Sequence, residues 1–140
     1  MKKTDLSDKQ LKELKEIANN APGFNKQGKV GSFFDLWLVC EVLAKKHIMY
    51  HKQDTELPVK WSYTQLTAAL KSFSVPYVDV NVKPTFQSGH KGKRGSKTAR
   101  QLRNSFIHSL SVNDRKEIES RHKELIDNLN YWKNILSNAT

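Results

Sequence analysis

The chain carries a single cysteine, Cys40, which excludes an intrachain disulfide and fits a reducing compartment. Its neighbours Leu36, Trp37, Leu38 and Val39 would make a thiolate costly, so Cys40 is read as a small core residue, not a nucleophile. Long apolar runs are also missing. The richest stretch, 33–44, is broken by Asp35 and Glu41 and is too short to span a bilayer. Behind Met1-Lys2-Lys3 there is no apolar segment, so no signal peptide is read and a cytoplasmic location is expected, with no membrane partner. Acidic residues are scarce, 14 Asp and Glu against 24 Lys and Arg, which gives a net charge of +10. That excess favours polyanionic partners, RNA or DNA ahead of an anionic membrane surface.

What is present suffices for one folded domain over 1–140. The hydrophobic fraction is 37% and includes six Phe, four Tyr and three Trp, unlike a disordered chain. No internal repeat is visible. Ser7-x-x-Gln10 reads as a capping box, followed by Leu11, Leu14, Ile17 and Ala18 at helical spacing and a stop near Asn19. Residues 22–31 hold three Gly and one Pro and read as a loop. Ser32-x-x-Asp35 resembles a second cap, opening a buried central helix over 33–50 through Phe34, Trp37, Leu38, Val42, Leu43 and Ile48. His47 and His51 stand four apart near its end, a spacing that can bind a metal. No Glu follows His47 and no third ligand is near. Surface histidines favoured at a helix C-terminus are therefore the expectation, and no metal site is assigned.

Ser62-x-x-Gln65 opens another helix, with Tyr63, Leu66, Ala69, Leu70 and Phe73 inward, which Val75-Pro76 ends. Val78, Val80 and Val82 alternate with polar residues as in a short strand, or an extended segment lying on the bundle. Residues 83–97 read as a mobile basic loop containing Gly89, Gly92 and Gly95. Between 83 and 103 there are seven Lys or Arg and no acid. The glycine spacing does not close on Gly-Lys-Ser/Thr, so a P-loop is rejected, whereas a grip on a polynucleotide backbone fits. Lys91, Lys93, Arg94, Lys97 and Arg100 are the candidate RNA-binding residues. A merely solvated loop is the plain alternative.

Thr98-x-x-Gln101 caps the next helix, whose apolar stripe is Leu102, Phe106 and Leu110 with Ile107 beside it. Ser111-Val112-Asn113-Asp114 offers a turn and a fresh cap. One long helix is expected over 114–138, with Ile118, His122, Leu125, Leu129, Trp132 and Leu136 as a packed seam. His122 in that seam reads as a hydrogen-bonded core histidine. The whole predicts an all-α, up-and-down bundle of about five helices with a long basic loop before the motif helix.

Chemistry is concentrated in Arg103-Asn104-x-x-x-His108. Asn104 and His108 share a helix face, while Arg103 and His108 lie roughly 140° apart around the axis. The trio suits phosphodiester cleavage. RNA brings its own 2′-OH nucleophile, which a neutral His108 could deprotonate; a protonated His108 could serve the leaving 5′ oxygen. Arg103 could clamp the phosphate, and Asn104 could orient either partner. No metal or other cofactor is then required. A second pair, Arg115 and His122, is seven apart, but His122 falls in the apolar seam.

The sequence R-N-S-F-I-H at 103–108, set between helices of a small all-α chain, resembles the HEPN superfamily of ribonucleases. Their signature is Arg, four to six residues, then His, commonly with a polar residue after the Arg. The resemblance implies Arg103 and His108 as a catalytic pair with Asn104 as polar companion. It also implies a homodimer with two such pairs facing one cleft, and metal-independent cleavage of RNA to 2′,3′-cyclic phosphate and 5′-OH ends. It further implies a toxin or phage-defence role beside an antitoxin protein. The basic loop and segment 78–82 depart from the family pattern. Three other readings stay open: a non-catalytic RNA- or DNA-binding module, a protein adaptor acting through 78–82 or the C-terminal seam, and a His47/His51 metal enzyme.

Overall fold

The computed structural model describes residues 6–19, 28–77, 85–87 and 97–138. Among them the chain forms six helices: α1 (Asp8–Asn19), α2 (Lys29–Lys52), α3 (Tyr63–Ser72), α4 (Ala99–Ser109), α5 (Val112–Ser120) and α6 (His122–Asn138). No strand occurs among the described residues, and the fold is the expected all-α bundle. Segment 78–82 lies outside them, as does most of the predicted loop over 83–97. None of the described helices is long and apolar enough to cross a membrane.

α2 is the axis. It is apolar on most of its circumference, and Phe33, Leu36, Trp37, Cys40, Leu43, Ala44 and Ile48 are all buried. An all-round apolar helix must be covered on several sides. α6 packs against it most extensively, α3 next, then α1, α5 and α4. Each fully buried Leu or Phe contributes about 1.5–3 kcal/mol. The helix starts one turn before the expected cap, because Ser32 does not cap. Its hydroxyl instead donates to the Lys29 carbonyl at 3.0 Å and meets His122 Nε2 at 2.7 Å. It ends at Gln53, which takes a left-handed conformation (φ 60°) and donates its N–H back to the Met49 and Tyr50 carbonyls.

The three capping boxes form as read. Ser7 with Gln10, Ser62 with Gln65 and Thr98 with Gln101 each exchange side-chain and backbone hydrogen bonds. The inward faces of α1 and α3 also follow the pattern, with Leu14, Ala18, Leu66, Ala69, Leu70 and Phe73 buried.

The expected helix over 114–138 is two helices, which is why six replace about five. Arg121 leaves helical geometry (φ −101°, ψ 13°) between α5 and α6. Its guanidinium is drawn to the Lys97 carbonyl at 2.8 Å, to Glu117 and to Glu124, tying the entry of α4 to the joint. The apolar seam survives the break: Ile118, Leu125, Leu129, Trp132 and Leu136 are all buried, while His122 is half-buried and bonded to Ser32.

His47 corrects the reading of it as a surface histidine. It is fully buried under α6 and lies 2.8 Å from the Leu136 carbonyl through Nε2. That bond needs a proton on Nε2, and Nδ1 has no hydrogen-bond partner among the described residues. Burial pulls the His47 pKa down to about 4, against the opposing pull of the Leu136 carbonyl. His51 is exposed, one turn on. Among the described residues no three His, Cys, Asp or Glu side chains are grouped to hold a metal ion. Cys40 lies in the core as read, its thiol 3.2 Å from the Leu129 carbonyl and its pKa driven upward by burial.

The candidate nucleic-acid interface

Residues 85–87 explain how the motif helix is held. Phe86 is fully buried with its ring centroid 5.6 Å from Trp37, 5.6 Å from Trp61 and 5.1 Å from Trp132. This aromatic wedge drags its backbone against α4. The Thr85 carbonyl accepts the Arg100 N–H at 3.0 Å, and the Gln87 carbonyl accepts the Thr98 hydroxyl at 2.7 Å. Nothing in the basic composition of 83–97 singles out Phe86; only its isolated aromatic character could have.

α4 itself buries Ala99 and Leu102. Phe106 is half-buried and packs on Phe34 of α2, centroids 5.7 Å apart. The expected stripe stops there. Leu110 is 74% exposed and Ile107 49%. The reason is the helix end: Leu110 turns left-handed (φ 48°) and closes on the Phe106 carbonyl, so its side chain leaves the core line. With Leu38 of α2, 55% exposed, and Val112 of α5, 64% exposed, these residues leave uncovered apolar surface on the helices around the motif.

A second lock holds α4 to α5. Asp114 is buried and accepts from Lys97 Nζ at 2.7 Å and from Ser105 Oγ at 2.5 Å, and Lys97 also reaches Ser105 at 3.1 Å. Burial opposes ionisation of Asp114, but the hydrogen bonds from Lys97 and Ser105 and the Lys97 charge outweigh it and hold the carboxyl below its ordinary range. Ser105 lies inside the motif, and its partnership with Asp114 is invisible without the fold. Lys97, read from sequence as an RNA contact, is thereby engaged within the molecule.

Arg100 is engaged too. Its guanidinium lies over the Trp61 ring, 4.2 Å from the centroid, and donates to the Trp61 and Phe86 carbonyls. Burial lowers its pKa, with the Glu41 carboxylate working against that shift and the Arg103 charge adding to it. Arg100, Arg103, Asn104, Lys60, Trp61 and Glu41 line an open cleft of about 340 Å³. Arg103 donates to Asn104 Oδ1 at 2.9 Å, and the rest of its fork has no hydrogen bond among the described residues. Lys60 was not anticipated, because it sits in the connector before α3.

The cleft therefore brings together Arg103, Asn104 and Arg100. His108 is exposed near the end of α4 and is not among its walls. Lys91, Lys93 and Arg94 lie outside the described residues. The rival pair is dispersed: Arg115 pairs with Glu119 at 3.3 Å, and His122 is bound to Ser32. Compared with protein-family models, curated proteins and solved structures, the chain matches none.

Proposed function

We propose that this chain is a metal-independent endoribonuclease of HEPN type, working as a homodimer. The observation that carries the reading is the exposure pattern of α4. Arg103 and Asn104 open onto a cationic cleft, His108 is exposed one turn further on, and Leu102 alone of the apolar residues in 101–110 is buried. A nucleic-acid phosphate held by Arg103 and Lys60 would sit beside the helix that bears His108. His108 takes the proton of the RNA 2′-OH as that oxygen attacks phosphorus, and the P–O5′ bond breaks as the protonated imidazole returns that proton to the leaving 5′ oxygen. Arg103 stabilises the negative charge on the phosphorane oxygens. The products carry 2′,3′-cyclic phosphate and 5′-OH ends.

The apolar surface of Leu38, Ile107, Leu110 and Val112 supports the dimer, since a second copy would cover it and bring two motifs to one groove. A toxin or defence role, with an antitoxin protein as partner, accords with such an activity. Lys91, Lys93 and Arg94 extend the backbone contacts, so affinity falls steeply as salt rises. The test is cleavage of a single-stranded RNA in EDTA beside its 2′-deoxy counterpart. RNA alone is cut, and its fragments carry cyclic phosphate ends. Equal cutting of both strands overturns the mechanism.

A second reading has one observation in its favour: His108 does not line the cleft that holds Arg103. A non-catalytic RNA-binding module would need only the cleft. It predicts strong, salt-sensitive binding with no cleavage at any protein concentration.

A further inference from the structure

The cleft is not simply cationic. Glu41 stands in its wall beside Arg100, Arg103 and Lys60. A carboxylate weakens a general phosphate grip, so its presence there calls for a ligand that donates hydrogen bonds. One Glu41 oxygen lies 3.5 Å from Trp61 Nε1, and the other has no hydrogen bond among the described residues. Beside it is a layered platform. Trp61 is 7% exposed, so its ring is not available for stacking, but the Arg100 guanidinium plane covers it and lines the cleft. That plane is fixed by the carbonyls of Trp61 and Phe86, so little freedom is lost when a flat ligand lands on it.

We propose that this cleft is a guanine subsite. The base stacks on Arg100, its N1–H and N2–H donate to the Glu41 carboxylate, and its phosphate is held by Arg103 and Lys60. Single-stranded RNA is read in this manner, by stacking on arginine planes and bonding along the Watson–Crick edge. Of the four bases, guanine presents two adjacent N–H donors on that edge. Adenine, uracil and cytosine present one, beside acceptors that a carboxylate repels. The inference rests on reading this surface as an RNA site and adds to it a base preference: strands are bound, and cut, next to G.

The experiment is a titration of the intact protein with 5′-GMP and with 5′-AMP, repeated with Glu41→Gln and Arg103→Ala. GMP binds at least about tenfold more tightly than AMP, the ratio expected of one good bidentate base contact. Glu41→Gln removes most of that ratio, by weakening GMP and relieving the repulsion of AMP, while the thermal midpoint stays put. Arg103→Ala weakens both nucleotides by the same factor. Equal binding of GMP and AMP, no binding of either at millimolar concentration, or a preference that survives Glu41→Gln overturns the subsite. A single-G oligoribonucleotide binding more tightly than GMP assigns the guanine to a strand, and equal binding assigns it to a free nucleotide; both uphold the site. The outcomes separate from those of the cleavage assay. GMP preference without RNA cleavage retires the ribonuclease and keeps the subsite. Cleavage indifferent to G and to Glu41→Gln does the reverse.

Discussion

His47 and His108 sit on helices of the same bundle in opposite surroundings. His47 is buried between α2 and α6, spends Nε2 on the Leu136 carbonyl, and is held neutral with a pKa near 4. His108 lies exposed near the end of α4, a helix that buries only Ala99 and Leu102. The sequence spacing read His47 and His51 alike as surface histidines, yet the core claimed the first of the pair. Proton transfer to a bound strand needs a side chain that the fold leaves accessible, and of these two histidines only His108 meets that condition.

Substitutions on α4 sharpen this contrast most. Leu102→Ala should cost about 2–5 kcal/mol, because Leu102 is fully buried and its removal leaves a cavity. Ile107→Ala, on the exposed side of the same helix, should change the stability of the protomer by less than about 0.5 kcal/mol at concentrations where it is monomeric. Urea titrations of the two variants check both figures. Comparable losses would mean that the outer face of α4 is packed after all.

The buried histidine should announce itself through pH. Its folded pKa lies below its ordinary value, so the unfolded chain takes up the proton first as acid is added. The stability it confers is full above about pH 6.5 and is lost as the pH falls toward 4, a decline on the order of 3 kcal/mol at about 1.4 kcal/mol per unit. His47→Gln should flatten that decline. A steep decline that persists in His47→Gln would assign it to the carboxylates instead. Asp114→Ala should be milder. It strands Lys97 and Ser105, but Lys97 is 38% exposed, so screening trims the loss to about 1–2 kcal/mol. Its thermal midpoint would show the drop. A further effect is a gain: Leu110→Gly relieves a left-handed non-glycine residue and should add up to about 1 kcal/mol to the protomer. Light scattering on the same variant should show weaker self-association if Leu110 belongs to the dimer interface.

Much of the fold was legible because it is local. A capping box needs residues three apart, and all three were read where they occur. The alternation of apolar residues along α1, α3 and the C-terminal seam likewise records the face each helix buries. What escaped was decided by distant partners. The break at Arg121 depends on the Lys97 carbonyl, 24 residues away. His47 is buried because α6 passes over it, and Phe86 is a wedge because three tryptophans converge on it. At the site, Arg103, Asn104 and Arg100 were named from sequence and meet at one cleft, whereas Glu41, Lys60 and Trp61 come from other parts of the chain and no spacing rule links them.

The measurement that goes straight to the contrast is RNA cleavage in EDTA by the wild-type protein, His47→Gln and His108→Ala, with the product ends identified. Cyclic phosphate ends from the wild type and from His47→Gln, with cleavage by His108→Ala reduced at least about a hundredfold, is the predicted result. Cleavage by His108→Ala at the wild-type rate would contradict the assignment of the chemistry to α4.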